Sequence, residues 1–356
     1  MKKKVFVVGC GNMGSSHARS YAELDGFNLI GLIDRNQESL NSLCSEIQGV
    51  PGFGSIEEAF QHQRPDAVAI CTYPDSHYEI AKKCLENNVH VFVEKPLATT
   101  VEQAQELVSL AKDKRRKIVV GYILRVHPAW AKFTEIAQSL GKPLVMRMNL
   151  NQQSSGKEWQ THKKLMNSIS PIVDCGVHYV DVMCQMTRSQ PVRVQAIGAR
   201  LTEEIDATMY NYGHLHVTFA DGSVGWYEAG WGPMMSQTAF FVKDVIGPKG
   251  CVSITEKRAE STGDSADIDS HTKTSALLLH HAELDSNGKF MKKDELISTS
   301  DEPGHQELCN REQEYFLRAI DEDLDLTDHL EDAVNSLKIV LAADESVRRG
   351  KGINIQ

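Results

Sequence analysis

The stretch that decides the fold of this chain lies near its start and reads Val5-Phe6-Val7-Val8-Gly9-Cys10-Gly11-Asn12-Met13-Gly14. Its four apolar residues predict a buried strand, and the next six have the pattern G-x-G-x-x-G. A helix is predicted directly afterwards, over residues 12–24. In this strand–loop–helix context the first glycine permits a tight turn, the second lets the backbone approach a pyrophosphate, and the third lets the helix pack closely on the strand. An ordinary glycine-rich turn is the alternative interpretation.

Composition places the chain among ordinary globular proteins. Its 356 residues predict about two domains, at about 150 residues each. Hydrophobic residues make up 41% and charged residues 24%, which argues against disordered and fibrous classes. The net charge of −10 disfavours nucleic acid as a partner. No apolar run reaches the roughly 20 residues that span a bilayer, so we expect no membrane partner.

The first third of the chain alternates short apolar runs with amphipathic stretches. Strands that are continuously apolar and separated by helices indicate a parallel sheet covered on both faces, so we expect a doubly wound α/β domain. The predicted strands are residues 5–8, 29–33, 67–71, 89–93 and 118–120. The predicted helices between them are residues 12–24, 37–47, 76–86 and 101–112.

The pattern changes after residue 122, where we place the domain boundary. Residues 123–356 predict an α+β domain with a largely antiparallel open sheet, and Asp221-Gly222 is a hairpin signal within it. We expect residues 152–170 to be polar and irregular. Residues 255–304 predict an exposed excursion with one strand at 276–279. The predicted helices are residues 128–140, 174–186, 305–320 and 330–349, of which the last caps a domain face or packs back on the first domain.

Asp34 indicates which dinucleotide the first domain prefers. It ends the second predicted strand, about 20 residues beyond the last glycine, where a carboxylate binds the adenosine ribose hydroxyls. A carboxylate there favours NAD because it repels the 2′-phosphate of NADP. Arg35 beside it could accept that phosphate, so NADP stays possible.

Polar residues follow the third, fourth and fifth strands, at the edge where such sheets bind ligands. Residues 72–77 follow the third strand, Glu94-Lys95-Pro96 the fourth, and residues 121–125 the fifth. Lys95 falls where the nicotinamide end of a dinucleotide would lie. Pro96 restricts the backbone before it, which helps to fix where Lys95 points. A lysine in a partly desolvated pocket can bind a reacting oxygen.

These motifs resemble those of the Gfo/Idh/MocA oxidoreductases, which include inositol dehydrogenases and glucose–fructose oxidoreductase. The glycine loop, Asp34, the Cys-Thr-x-Pro-x-x-His stretch that begins at Cys71, and Glu94-Lys95-Pro96 carry the resemblance. It extends into the second domain, where Asp174-Cys175-Gly176-Val177-His178 has the family pattern Asp-x-Gly-x-His. The resemblance implies a Rossmann domain at residues 1–122 that binds NAD(P), and a domain at 123–356 for substrate binding and oligomerisation.

The resemblance also implies site residues. Lys95, Asp174 and His178 form the family's catalytic triad. We expect the cofactor to be bound by Gly9, Gly11, Asn12, Met13, Gly14, Asp34, Arg35, Thr72, Tyr73, Pro74, His77, Glu94 and Lys95. We expect the substrate to be bound by Lys95, Tyr122, Arg125, His127, Asp174 and His178. No Cys-x-x-Cys pair occurs, and we expect no metal.

Asp174 and His178 also suggest chemistry in their own right. Residues four apart share one face of a helix, so this carboxylate could orient the imidazole for proton transfer. A helix N-terminus with an early acid is the structural alternative. The chain departs from the family where relatives commonly have two glycines, here Ser170-Pro171, and where Ile123 replaces an amide, which leaves substrate preference open.

The function expected from these features is oxidation of a secondary alcohol on a cyclic polyol or sugar, or reduction of the ketone, with NAD(P). One alternative is a redox-neutral, glycosidase-like enzyme that uses NAD transiently. Another is a non-catalytic NAD-binding regulator. Eight scattered cysteines indicate reduced thiols in the cytoplasm. A homodimer or homotetramer is expected because Trp226 and Phe240 lie on a sheet face that a partner could cover.

Overall fold

The structure of the protein is a computed structural model that describes residues 1–236, 242–255, 272, 274–299 and 302–355. The chain folds into two compact units. The first holds Met1–Val126 and Gly304–Val334, and the second holds His127–Pro303 and Asn335–Gln356. The two predicted domains, which meet at residue 122, are each one continuous segment of the chain, whereas each compact unit combines two segments. Compactness does not show which residues bind cofactor or substrate, so the functional division stays a prediction.

Eleven α-helices lie within the described residues. They are α1 Asn12–Glu23, α2 Gln37–Glu46, α3 Ile56–His62, α4 His77–Glu86, α5 Val101–Lys114, α6 Pro128–Ser139, α7 Gly156–Leu165, α8 Pro171–Asp174, α9 Gly176–Thr187, α10 His305–Asp321 and α11 Thr327–Arg349. None of these helices is both long and apolar enough to cross a membrane.

The first unit is built on a six-stranded parallel sheet, which confirms the predicted doubly wound domain. Its strands are β1 Lys3–Val8, β2 Phe27–Ile33, β3 Gly52–Phe53, β4 Ala67–Ile70, β5 His90–Glu94 and β6 Ile118–Gly121. Their order in the sheet is β3-β2-β1-β4-β5-β6. The chain reverses its direction across the sheet at β1, between β2 and β4, and such a switch point is where these sheets bind ligands.

Burial on both faces explains why the central strands are continuously apolar. Val5, Phe6 and Val7 of β1 are wholly buried, as are all four residues of β4. α10 packs on the same core, with the Phe316 ring 6.2 Å from that of Phe27. The sequence prediction missed β3, which has only two residues, and the seven-residue helix α3.

The second unit contains a nine-stranded sheet. Its strands are β7 Val145–Gln153, β8 Pro191–Ala199, β9 Tyr212–Phe219, β10 Val224–Gly232, β11 Lys243–Gly247, β12 Gly250–Thr255, β13 Ala276–His281, β14 Glu295–Ser298 and β15 Ile353–Asn354. The order is β14-β13-β12-β11-β7-β10-β9-β8-β15. All neighbours are antiparallel except β7 and β10, which run parallel, so the sheet is mixed and largely antiparallel.

Several local predictions in the second unit need correction. Residues 152–170 were expected to be irregular, but they contain the ten-residue α7. The helix predicted from Asp174 is divided at Cys175 into α8 and α9. β11 begins at Lys243, and residues 237–241, which include Phe240 of the expected sheet face, lie outside the described residues. β12 was not predicted.

Candidate active site

The glycine loop has the geometry that its spacing predicts. Gly9 has φ of +95°, which glycine adopts without strain. A Cβ atom on Gly14 would lie 1.8 Å from the Gly9 carbonyl oxygen, so this glycine lets α1 approach the loop closely. A Cβ atom on Gly11, by contrast, would meet no atom within 4 Å. The loop is therefore closed on the protein side and open at Gly11.

The N-terminus of α1 fits the pyrophosphate of a dinucleotide. Its N-cap is Gly11, and no side chain caps the helix there. Backbone N–H groups of the first turn and the positive end of the helix dipole are therefore available to an anion. Asn12 and Met13 begin this turn. The predicted role of the loop in cofactor binding is consistent with this cradle.

Asp34 braces the glycine loop. Its Oδ2 accepts a hydrogen bond from the backbone N–H of Cys10 at 2.7 Å, and its Oδ1 accepts one from Asn36 N–H at 2.7 Å. Each carboxylate oxygen retains a lone pair that a ribose hydroxyl could use. Burial, reinforced by the charge of Asp34, raises the pKa of the Cys10 thiol to about 12. Arg35 is exposed.

His77 ties together the segments that follow β4 and β5. The ring is wholly buried, with Nδ1 at 2.8 Å from the Pro96 carbonyl oxygen and Nε2 at 3.0 Å from that of Thr72. Burial lowers the pKa of His77, although both carbonyls oppose the shift. Pro74 begins the 3-10 turn between Thr72 and His77, and the Tyr73 side chain is exposed. His77 is thus placed to hold the backbone around Lys95.

Glu94 is anchored by side chains that the sequence analysis did not single out. Its Oε1 lies 2.7 Å from Nε2 of His17 on α1, and Nδ1 of that ring lies 2.9 Å from Nε2 of Gln313 on α10. Gln313 Oε1 accepts a hydrogen bond from the Tyr21 hydroxyl. The other Glu94 oxygen lies 3.3 Å from the backbone N–H of Lys95. This buried chain of contacts fixes the residue that precedes Lys95.

A second buried carboxyl group, that of Glu312, lies near this network. Burial and the negative charge of Glu94 raise the pKa of Glu312 well above its ordinary value. Burial alone would raise the pKa of Glu94 too. The hydrogen bond and charge of His17, together with the charge of Lys95, outweigh burial and lower the pKa of Glu94. These surroundings favour the protonated form of Glu312 and the ionised form of Glu94.

The residues after β6 that were expected to bind substrate make contacts within their own units. Arg125 forms an ion pair with Asp332 at 2.9 Å, and its guanidinium lies 5.6 Å from the centre of the Tyr122 ring. Tyr122 is buried. In the second unit His127 is wholly buried, with Nε2 at 3.6 Å from Glu302. The substrate roles of Tyr122, Arg125 and His127 stay predictions.

Asp174 and His178 lie on either side of a short interruption between two helices. Asp174 ends α8, and His178 is in the first turn of α9. Cys175 between them has φ of −86° and ψ of −37°, so the backbone stays helical and the expected i,i+4 relation is preserved in outline. Both side chains are half-buried. Their catalytic role stays a prediction.

Ser170 fixes the start of α8. Its Oγ accepts a hydrogen bond from the Val173 N–H, as an N-cap does, and donates one to Asp344 Oδ1 at 2.7 Å. The Tyr210 hydroxyl lies 2.9 Å from the same Oγ. Where relatives commonly have glycines, this chain therefore anchors the helix that ends at Asp174 through a serine.

Comparison with known proteins agrees with these features. Residues 3–122 match the sequence model described as the GFO/IDH/MocA oxidoreductase family, NAD-binding Rossmann fold. Residues 136–252 match the C-terminal domain of the same family. Together the two matches account for the glycine loop, the Glu94-Lys95-Pro96 motif and the Asp174–His178 motif.

Curated relatives and solved structures extend the comparison. The chain is 28% identical over 201 residues to UDP-N-acetylglucosamine 3-dehydrogenase of Acidithiobacillus ferrooxidans, a match that spans 56% of this chain and 59% of the relative. It is 26% identical over 308 residues to scyllo-inositol 2-dehydrogenase (NAD(+)) of Bacillus subtilis, spanning 80% and 86%. The structure of scyllo-inositol dehydrogenase from Lactobacillus casei with NAD(H) and scyllo-inositol aligns with a TM-score of 0.77, at 18% identity over 99% of each chain.

Proposed function

Because this chain belongs to the GFO/IDH/MocA oxidoreductase family, we propose that it is an NAD-dependent dehydrogenase acting on a secondary alcohol of a cyclic polyol or sugar derivative. The observation that carries the proposal is the fixed position of Lys95 after β5. Glu94 and Pro96 on either side of it are tied to His17 and His77 within the unit that holds the glycine loop. The relatives named above act on an inositol and on a nucleotide sugar, which suggests the substrate class.

The proposed mechanism assigns proton transfer to the chain's own residues. NAD, when bound, supplies the acceptor for the hydride that leaves the alcohol carbon. His178 takes the hydroxyl proton, and Asp174 orients the His178 ring and stabilises its cation. Lys95 donates a hydrogen bond to the substrate oxygen, so that developing negative charge meets a donor already in place. The reverse sequence reduces the ketone.

NAD is the cofactor that the first unit favours. Asp34 lies beside the loop with both carboxylate oxygens fixed by backbone N–H groups, and its negative charge would face the 2′-phosphate of NADP. The exposed Arg35 is the residue that would have to offset this charge if NADP were used. We expect a lower Kd for NAD than for NADP.

A homo-oligomer formed through the open sheet face is part of the proposal. Val145 pairs with Val224 on one neighbouring strand and with Ile246 on the other, and all three side chains are exposed. An apolar row across three strands is a surface that a second copy of the chain could bury. We propose a dimer or tetramer, and a monomer mass from light scattering at micromolar concentration would contradict it.

The proposed location is the cytoplasm, where thiols stay reduced. Cys10, Cys71 and Cys84 are buried thiols in the first unit. Burial raises the pKa of each of them, which keeps these groups protonated and unreactive.

The test is the appearance of reduced nicotinamide, followed by absorbance. NAD and then NADP are each supplied with a panel of inositols, aldoses and sugar nucleotides. Formation of NADH with a polyol or sugar is the expected result. Binding of NAD without NADH formation across the panel would contradict the proposal, and cleavage of a glycoside without net NADH would favour the redox-neutral alternative.

A further inference from the structure

We propose that His162 of α7 is a specificity-determining residue whose Nε2 binds a hydroxyl group of the substrate. The inference rests on the proposed function and concerns the second unit alone. α7 lies in the segment that the sequence predicted to be irregular and that the catalytic assignment does not use. His162 is the residue of this helix whose surroundings point to a ligand.

The imidazole ring of His162 is held in one orientation. It stacks on Trp231 of β10, with ring centroids 4.4 Å apart and planes inclined by 7°. Nδ1 lies 2.9 Å from the hydroxyl of Ser154, which is buried. The stack and the hydrogen bond both favour this orientation of the ring. Its remaining nitrogen therefore has a fixed direction.

The support behind the ring is itself rigid and leads to the catalytic motif. Trp231 is buried, and its Nε1 donates a hydrogen bond of 2.8 Å to Oε1 of Gln152. The same oxygen accepts a contact from the Cys175 thiol at 3.4 Å. Cys175 directly follows Asp174, so His162, Trp231 and Gln152 form one connected wall beside the proposed proton-transfer pair.

Nε2 of His162 makes no hydrogen bond within this wall. Within the described part of the chain it has no hydrogen-bond partner, although the ring is only half-buried and can be reached. Trp159 and Lys163 on the same helix are instead occupied by Glu204, at 3.3 Å and 2.6 Å. A hydroxyl group of a bound polyol would satisfy Nε2 as donor or as acceptor.

The charge state of the ring suits a neutral hydroxyl. Burial lowers the pKa of His162 to about 4, and the negative charge of Asp174 opposes that shift. The ring is therefore neutral at pH 7. The contacts that run from His162 through Trp231 and Gln152 to Cys175 place the ring in the neighbourhood of the Asp174–His178 motif. A fixed neutral imidazole distinguishes a substrate that has a hydroxyl at this point from one that lacks it.

The experiment compares His162→Phe with the wild type. Phenylalanine keeps the stack on Trp231 and removes the nitrogen. Lys164→Gln, an exposed change on the same helix, is the matched control. His162→Gln restores a polar group near the position of Nε2. Each protein is assayed with NAD and myo-inositol, scyllo-inositol and UDP-N-acetylglucosamine, and then with the monodeoxy analogues of whichever is oxidised.

For His162→Phe we expect kcat/KM to fall roughly 10- to 100-fold on the accepted substrate, the range for one buried hydrogen bond, with the Kd for NAD unchanged. His162→Gln should recover part of the loss. One monodeoxy analogue should be oxidised equally by the wild type and His162→Phe, and that analogue identifies the hydroxyl. A merely structural role would lower kcat/KM equally for every analogue.

Two results would overturn the inference while leaving the dehydrogenase intact: wild-type kinetics for His162→Phe, or an equal loss across all analogues. If His162→Phe does not fold, Ser154→Ala releases Nδ1 and should show the same analogue pattern more weakly. Failure of the proposed function looks different, because the wild type would then form no NADH. If the wild type forms no NADH, calorimetric titration of scyllo-inositol into the NAD-bound wild type tests directly whether the site binds a polyol. Absence of binding would then overturn the inference as well.

Discussion

The imidazole of His17 lies 2.7 Å from the carboxylate of Glu94, and both side chains are almost completely removed from solvent. The pair joins α1, which opens with the glycine loop, to the last residue of β5. Lys95 follows directly, with its backbone N–H on the other Glu94 oxygen. The position of the proposed catalytic lysine therefore depends on a residue of the cofactor-binding helix.

Loss of His17 should destabilise the protein strongly. His17→Leu leaves an ionised Glu94 buried without its partner, and breaking such a pair costs about 3–5 kcal/mol. We expect that decrease in the free energy of unfolding, measured by urea titration. In the double variant His17→Leu with Glu94→Gln the penalty should shrink, because no uncompensated charge remains. Additive losses in this double-mutant cycle would show that the two side chains are not coupled.

Two glycines of the loop should respond differently to alanine. Gly14→Ala places a Cβ atom 1.8 Å from the Gly9 carbonyl oxygen, so the backbone must shift and the melting temperature should fall. Gly11→Ala meets no protein atom within 4 Å, so it should leave the melting temperature unchanged. It should nevertheless raise the Kd for NAD at least about tenfold, or about 1.4 kcal/mol, by obstructing the pyrophosphate. Unchanged NAD binding by Gly11→Ala would contradict this assignment.

Acid should destabilise the first unit through His90. Burial, together with the charges of Arg116, Lys3 and Lys117, lowers the pKa of His90 to about 4, whereas the unfolded chain titrates near 6.5. Between pH 6.5 and pH 4 the unfolded state binds more protons at His90 than the folded state does. The free energy of unfolding is therefore undiminished by His90 above pH 6.5 and decreases as the pH falls towards 4. The slope for one such group is at most about 1.4 kcal/mol per pH unit.

His90→Asn tests this dependence, since Asn Oδ1 can accept the Lys117 N–H that His90 Nδ1 accepts at 3.0 Å, and it does not titrate. Urea midpoints measured from pH 7 to pH 4.5 should fall less steeply for the variant than for the wild type. Parallel curves would mean that His90 takes no part in the acid sensitivity.

The parallel sheet of the first unit was predictable because its central strands are buried on both faces. Val5–Val8 and Ala67–Ile70 therefore appear in the sequence as unbroken apolar runs. β3 is too short to leave such a run, since it pairs through only two residues. In α7 one residue alone, Trp159, is buried, so no apolar stripe revealed the helix.

Contacts between distant parts of the chain had no local signal. Asp221-Gly222 correctly indicated the antiparallel pairing of β9 with β10, but nothing nearby indicates that β10 also runs parallel to β7. The motifs of the candidate site were visible because their spacing is local. The groups that hold them were not: Gln313 reaches His17 across 296 positions, and Asp344 reaches Ser170 across 174.

In the proposed reaction Lys95 acts on the reacting oxygen rather than on the cofactor. The most direct measurement is kcat for Lys95→Met beside its Kd for NAD, once the wild type has been shown to oxidise a polyol. We expect kcat to fall at least about 100-fold while the Kd for NAD changes little. An equal loss of NAD binding and turnover, or a Lys95→Met variant that turns over normally, would contradict it.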